Sequence, residues 1–462
     1  MHDYRALAVF VLTIAACSRI EQGPSVLPDL QSSEPATLAA STQVLAAPSP
    51  PPATVPLHIH GAMTWYQGEN INRDIPASWM AAHYDFTEQG DAGGQFASAY
   101  IAAGGKYAIL YSDPEIIPHC SSPFATAKGA LPGLCADLLG KVFTRTESAW
   151  LHDAAGNRLH VLPGGPYLQG QFLDRANPNS PAVSAAYHSW TTTLVSGTRW
   201  NAFEIDDVQS SYIPSYFQFK FGATSKEFDS LGASANSVWF AAQMRMAAAA
   251  TRPVFINGIT SASQSQFLTA PNVIGHMVES CATTITPSPV AGAQWVANMN
   301  TLLAATAVKR YAICINYFPP QSNGVFQRLY GLASWYLTYD PLYSVIFDDI
   351  PTSDHHETYP EHGITVFSPL TTASAQNIST LRSNTGVYVR EFAYCYVQKV
   401  AIGPCATLVN PDSVSHAVPT LSHRYAHSLQ LSTLSWYAGG TVSWAASPPA
   451  TLAAMSARIL KL

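Results

Sequence analysis

The chain has 462 residues, of which 47% are hydrophobic, 11% aromatic and only 11% charged, so it is long and apolar enough for a large core and is not a disordered chain. Its 23 Lys and Arg face 29 Asp and Glu, a net charge of −6, which leaves no basic field to grip a phosphate backbone and excludes nucleic acid as the expected partner. Charged residues fall far below the roughly 25% of an ordinary soluble domain, so Ser, Thr, Asn, Gln and Tyr must supply the polar surface, a composition that suits an exported protein.

Residues 1–17 read as an export signal: Arg5 closes a short polar start and Ala6 to Ala16 is apolar. That run is too short to span a hydrocarbon core, which takes about 20 residues. It ends in Ile14-Ala15-Ala16-Cys17, which resembles a bacterial lipobox and marks Cys17 for lipidation. The acyl chains would anchor the protein to the periplasmic or surface side of a membrane. Residues 18–55 are rich in Pro, Ser and Ala and predict a semi-extended tether.

From residue 56, short apolar runs alternate with helix-like stretches. The predicted strands are Leu57–Trp65, Tyr84–Glu88, Tyr107–Ser112, Trp200–Asp206, Pro253–Ile259, Val273–Ser280, Tyr311–Phe318 and Ser344–Ile350. Ser237–Ala250, Ala291–Ala307 and Val325–Tyr339 carry apolar residues at helical spacing. Strand–helix alternation argues for a parallel sheet. Eight strands fit a (β/α)8 TIM barrel over 56–365, with an insertion at 114–190 that holds a hairpin around Trp150–Val161. A doubly wound open sheet is the alternative, but the first strand is followed by no Gly-rich phosphate loop. Residues 366–462 read as a small antiparallel β-domain, with strands at Val387–Val397, Cys405–Val409, Leu429–Trp436, Thr441–Trp444 and Ala457–Leu462. Besides Cys17 there are six cysteines. An even number in an exported chain predicts disulfides. The short loops Cys120–Cys135 and Cys395–Cys405 close most cheaply, which leaves Cys281 with Cys314. No C-x-x-C spacing points to a metal, and no metal or other cofactor is expected.

Polar residues that end barrel strands are the candidates for chemistry. In Trp200-Asn201-Ala202-Phe203-Glu204-Ile205-Asp206, alternation puts Phe203 and Ile205 on one face and Glu204 and Asp206 on the other. The apolar face suits the helix layer, so the two acids point into the barrel. Their repulsion and burial would raise at least one pKa, and an acid beside an ionised carboxylate is what glycosidic bond cleavage requires. Glu279 ends the sixth strand as a candidate proton donor, and Asp348 ends the eighth. His58, His60, Trp65, Glu88, Tyr111, Asp113, Asn257, Asn316 and Tyr317 complete a polar and aromatic lining for a sugar. His58 and His60 also allow a second reading, a metal-dependent amidohydrolase-like barrel completed by His276 and Asp348. Asn257 stands where that reading expects a metal-binding residue.

Three stretches, Phe203-Glu204-Ile205-Asp206-Asp207, Val278-Glu279-Ser280 and Trp335-Tyr336-Leu337-Thr338-Tyr339-Asp340-Pro341, together resemble the glycoside-hydrolase-like (β/α)8 proteins of bacteria. Val389-Arg390-Glu391-Phe392 and Leu408-Val409-Asn410-Pro411 are similar to their C-terminal β-domain. The resemblance implies action on a glycosidic bond, with Asp206 and Glu279 catalytic; the expected substrate is an envelope or extracellular polysaccharide, with Glu204 tuning Asp206. A monomer and no cofactor are expected. The alternative is a non-catalytic, glycan-binding surface lipoprotein.

Overall fold

The computed structural model describes residues 61–63, 75–89, 94–112, 116–118, 147–161, 173–195, 200–206, 208, 225–258, 262–284, 286, 288–318, 324–349, 358–371, 373, 377–446 and 448–462. The signal, the tether, Cys17, His58, His60, Trp65, Asp113, Cys120 and Cys135 lie outside them.

Strands β1 (Gly61–Met63), β2 (Phe86–Gln89) and β3 (Tyr107–Leu110) open a parallel sheet. An insertion then forms its own antiparallel sheet from β4 (Ile116–Pro118), β5 (His160–Val161) and β6 (Leu173–Arg175). The parallel sheet resumes with β7 (Ala202–Ile205), β8 (Val254–Asn257), β9 (Val273–Val278), β10 (Tyr311–Tyr317) and β11 (Ser344–Asp349). These eight strands stand side by side in chain order. A doubly wound sheet would instead reverse its order part-way along. Curling brings β1 beside β11, giving a (β/α)8 TIM-like barrel.

Alternation along these strands sorts the chain into two cores. Phe86, Ile109, Ala202, Phe255, Met277, Ile313, Ile315, Tyr317, Val345 and Phe347 pack together inside the barrel. Phe203, Ile205, Val254, Ile256, Val278, Cys314 and Ile346 join the larger core beneath the helices. The interior is filled at its base by rings: Phe86 meets Tyr311 at 5.1 Å and Phe255 at 5.9 Å, centroid to centroid. Gly275 makes room for them, because a Cβ there would lie 2.7 Å from the Tyr311 Cβ.

The second sheet comprises β12 (Ile364–Pro369), β13 (Tyr388–Val397), β14 (Val400–Asn410), β16 (His427–Gln430), β17 (Ser443–Ala446) and β19 (Ser456–Lys461), in the order β12-β13-β14-β19-β16-β17. A small pair, β15 (His416–Ala417) and β18 (Thr451–Leu452), stands apart. The Val325–Thr338 helix lies between barrel and β-sheet, with ten of its residues buried because strands of both pack against it. Arg390, on β13, donates to the carbonyls of Tyr336 (3.3 Å), Leu337 (3.0 Å) and Tyr339 (2.9 Å). It thereby satisfies acceptors that the end of that helix leaves open. Glu391 and Asn410 anchor loops: Glu391 accepts from Ser422 and Tyr425, and Asn410 Nδ2 donates to the carbonyls of Val414 and Ala453. Disulfides join Cys281 to Cys314 and Cys395 to Cys405. Among the described residues, no helix is long and apolar enough to cross a membrane.

Candidate active site

Five neighbouring strands deliver the site at their C-terminal ends. Tyr111 follows β3, Asp206 follows β7, Asn257 closes β8, Glu279 follows β9 and Tyr317 closes β10. Asn257 is the hub. Its Nδ2 donates to Asp206 Oδ1 at 2.9 Å and to Glu279 Oε2 at 3.4 Å. Each acid takes a second bond from a phenol: Tyr111 Oη donates to Asp206 Oδ2 at 2.8 Å, and Tyr317 Oη to Glu279 Oε1 at 2.9 Å. Asp206 is half-buried and Glu279 exposed, while Asn257 and Tyr317 are buried. The acids thus sit at the mouth and their positioning groups just beneath.

The local backbone explains the precision. Asp206 N donates to the Ser112 carbonyl at 2.9 Å, which extends β7 toward β3 by one residue. Gly258 N donates back to Asn257 Oδ1 at 2.9 Å, and Val208 N donates to the Asn257 carbonyl at 2.9 Å. This turn needs glycine: Gly258 has φ +104°, and a Cβ there would lie 2.5 Å from the Val208 carbonyl oxygen. Ser280 takes a left-handed φ of 54° directly after Glu279. The Cys281–Cys314 disulfide then fastens that turn to β10, three residues before Tyr317.

Glu204 lies on the same strand face as Asp206, one layer deeper, and is fully buried. Glu88, which the sequence assigns to substrate binding, is 2% exposed and faces Glu204. Burial pushes Glu88 up to about 7, assisted by the charges of Asp206 and Glu279 and opposed by its hydrogen bond with Glu204. Burial also holds Glu204 well above the ordinary carboxylate range, with Glu88, Asp206 and Glu279 acting in the same direction.

Two expected lining residues face elsewhere. Asn316 and Asp348 alternate with Ile315, Tyr317 and Phe347, which point inward, so both turn toward the helices. There Asn316 Oδ1 accepts from Ala282 N at 3.1 Å, and its Nδ2 reaches Asp348 Oδ1 at 3.4 Å. Asp348 Oδ2 lies 2.8 Å from His362 Nε2, and His362 Nδ1 lies 3.0 Å from Tyr84 Oη. These two positions are therefore corrected from sugar-binding to structural. His276 also lies on the helix side, fully buried, and burial drives its pKa down to about 3. It and Asp348, the described members of the metal-binding alternative, do not converge on the mouth.

The supporting residues Ser112, Gly258 and Tyr187 escape the sequence reading. Asn257-Gly258 is a turn signal that could have exposed the second. Tyr187, from the Pro181–Val195 helix, lies with its hydroxyl 3.2 Å from Ser112 Oγ.

No family model and no curated protein matches the sequence. Among solved structures, the chain is similar to the glycoside hydrolase domain of PelA from Pseudomonas aeruginosa, at 13% identity over 63% of this chain and 94% of that one, with a TM-score of 0.38. It is also similar to alpha-L-fucosidase isoenzyme 2 from Paenibacillus thiaminolyticus, at 11% identity, covering 63% of this chain and 46% of that one, with a TM-score of 0.39. An alpha-amylase from Malbranchea cinnamomea gives 10% identity, 80% and 77% coverage, and a TM-score of 0.33. At these identities and scores the likeness carries no inference about activity.

Proposed function

We propose that the protein is a retaining glycoside hydrolase in which Asp206 is the nucleophile and Glu279 the acid and base. The observation that supports this is the shared amide of Asn257. Both acids accept from one nitrogen, so their bridged oxygens are at most about 6.3 Å apart, which is short of the roughly 6.5–9.5 Å of inverting pairs and compatible with the about 5–5.5 Å of retaining pairs. Asp206, held from two sides and half-buried, suits an anion that attacks the anomeric carbon. Glu279 at the rim gives its proton to the departing oxygen as the glycosidic bond breaks. The resulting glycosyl ester on Asp206 is then hydrolysed by a water that Glu279 deprotonates, which returns both groups to their starting state. Tyr317 orients Glu279 throughout.

The substrate class is an oligo- or polysaccharide outside the cytoplasm. Two disulfides suit an oxidising compartment, and the Cys17 lipobox and the tether would hold a monomeric body at the envelope. The full chain is to be screened on a panel of polysaccharides and aryl glycosides beside Asp206→Asn and Glu279→Gln, with NMR detection of the first anomer released. Release that both variants abolish, with retention of configuration, supports the assignment. Equal release by parent and variants would overturn it.

A further inference from the structure

We propose that Asn298 is a positioning residue for Glu279: its buried amide clamps the turn that follows Glu279 and so keeps the carboxyl within reach of Asn257 and Tyr317. The proposal deepens the hydrolase reading and rests on it for its catalytic consequence. Asn298 acts through Glu279 and touches no reacting atom.

The Gly292–Ala307 helix buries Trp295, Asn298, Met299 and Leu302, which lie at i, i+3, i+4 and i+7 and so share one face. Asn298 interrupts this otherwise apolar stripe with only 4% of its surface exposed. A buried amide is costly unless its hydrogen-bonding groups are matched, and here they are. Nδ2 donates to the Ser280 carbonyl at 3.1 Å and to the Cys281 carbonyl at 2.9 Å. Oδ1 accepts from Gln294 Nε2 at 2.8 Å. Backbone carbonyls can only accept, which fixes the amide with its nitrogen toward the turn.

Those two carbonyls belong to the two residues directly after Glu279. Ser280 is left-handed, with φ 54°, so the chain turns sharply as it leaves β9. Beyond the turn it is laid along β10. Cys281 N donates to the Ile315 carbonyl at 2.8 Å, Ala282 N to Asn316 Oδ1 at 3.1 Å, and Tyr317 N to Thr283 Oγ1 at 2.9 Å. The Cys281–Cys314 disulfide fixes the same stretch. These links hold the turn from its β10 side, and Asn298 holds it from the helix side. Glu279 itself is exposed, so packing does little to fix its side chain. Its carboxyl meets Asn257 at 3.4 Å and Tyr317 at 2.9 Å, and both contacts require its backbone to stay in place. Without the clamp, the carbonyls of Ser280 and Cys281 must turn toward other donors, which carries Glu279 away from Asn257. A misplacement of about 1 Å can cost on the order of 100-fold in rate.

The test compares the full chain with Asn298→Leu, Asn298→Ser and Thr301→Val. Leu keeps the size of Asn and removes its donors, whereas Ser leaves room for water to bridge the same carbonyls. Thr301→Val is the control, because Thr301 is buried on the same helix and its Oγ1 donates to the Ala297 carbonyl at 2.9 Å, away from the turn. Crystal structures give the first readout. In Asn298→Leu the gap between Asn257 Nδ2 and Glu279 Oε2 should open beyond hydrogen-bond distance, and in Thr301→Val it should stay closed. Hydrolysis of phenyl and dinitrophenyl glycosides gives the second. A displaced acid slows the phenyl substrate most, because dinitrophenolate departs without a proton. Asn298→Leu should therefore lower kcat/KM for the phenyl glycoside by on the order of 10- to 100-fold and far less for the dinitrophenyl one. Asn298→Ser should recover part of that loss. An unmoved Glu279, or an equal fall for both leaving groups, overturns the positioning role. Failure of both Asn298 variants to fold while Thr301→Val folds also overturns it, since Asn298 would then serve the core alone. A parent inactive on both glycosides would sink the hydrolase reading, and the crystal comparison would still decide whether Asn298 positions Glu279.

Discussion

Asp206 and Asp348 each mark the end of an apolar strand in the same barrel, and they have opposite surroundings. Asp206 meets a phenol and an amide at a half-open mouth, beside a second acid. Asp348 is sealed on the helix side, where Asn316 and His362 occupy its oxygens and Tyr84 completes the chain of contacts. The first arrangement leaves like charges together where one is half-buried and the other exposed. The second joins the barrel to Tyr84, which caps the Ala77–His83 helix, and to the segment that leads into the β-sheet. Nearby, the fully buried Arg328–Glu361 ion pair does similar work: Arg328 also donates to the Ser432 carbonyl at 3.0 Å and stacks 3.6 Å above the Tyr359 ring. The inward acids are gathered beside like charges at a cost to stability, whereas the outward ones are paired and serve stability.

That contrast can be broken in several ways. The largest effect belongs to Asp206→Asn, which should lower kcat on any substrate found by on the order of 10³-fold or more with no loss of Tm; a matching fall in Tm would place Asp206 with the structural acids. Next, Arg328→Met should cost about 3–5 kcal/mol in denaturant unfolding, because Glu361 is left buried and unpaired, while kcat in the folded fraction stays unchanged. Asp348→Ala should cost about 1–3 kcal/mol by stranding His362 and Asn316, again with kcat preserved. A variant that lost activity and kept its stability would move Asp348 back among the ligands. The smallest expected effect is Tyr317→Phe: about 0.5–1.5 kcal/mol in kcat/KM from one lost hydrogen bond to Glu279, read as an altered acid limb with Tm nearly constant.

Much of this was legible in the chain. All eight parallel strands overlap the runs of apolar residues, and the inward pair Glu204 and Asp206 follows from simple alternation across Phe203 and Ile205. Pairing of Cys281 with Cys314 and of Cys395 with Cys405 matches the spacing argument. The sequence reading does not resolve β12, because Ile364–Pro369 straddles the boundary at residue 365 drawn between the barrel and the β-domain. Asn316-Tyr317 was ambiguous for a different reason. Adjacent residues take opposite faces, and a strand buried on both faces gives no polar alternation to say which is which.

The order and number of the parallel strands, the acids at their ends and the partners of Cys281 and Cys395 were thus set by the sequence alone, because each depends on residue type and local period. Tertiary structure decided that Asn257 bridges Asp206 and Glu279, that Glu88 sits below the mouth against Glu204, and that Asn316 and Asp348 turn outward. Those outcomes depend on how far each strand runs past its neighbour and on the depth at which side chains from distant segments meet, and a period of two residues carries no information about depth.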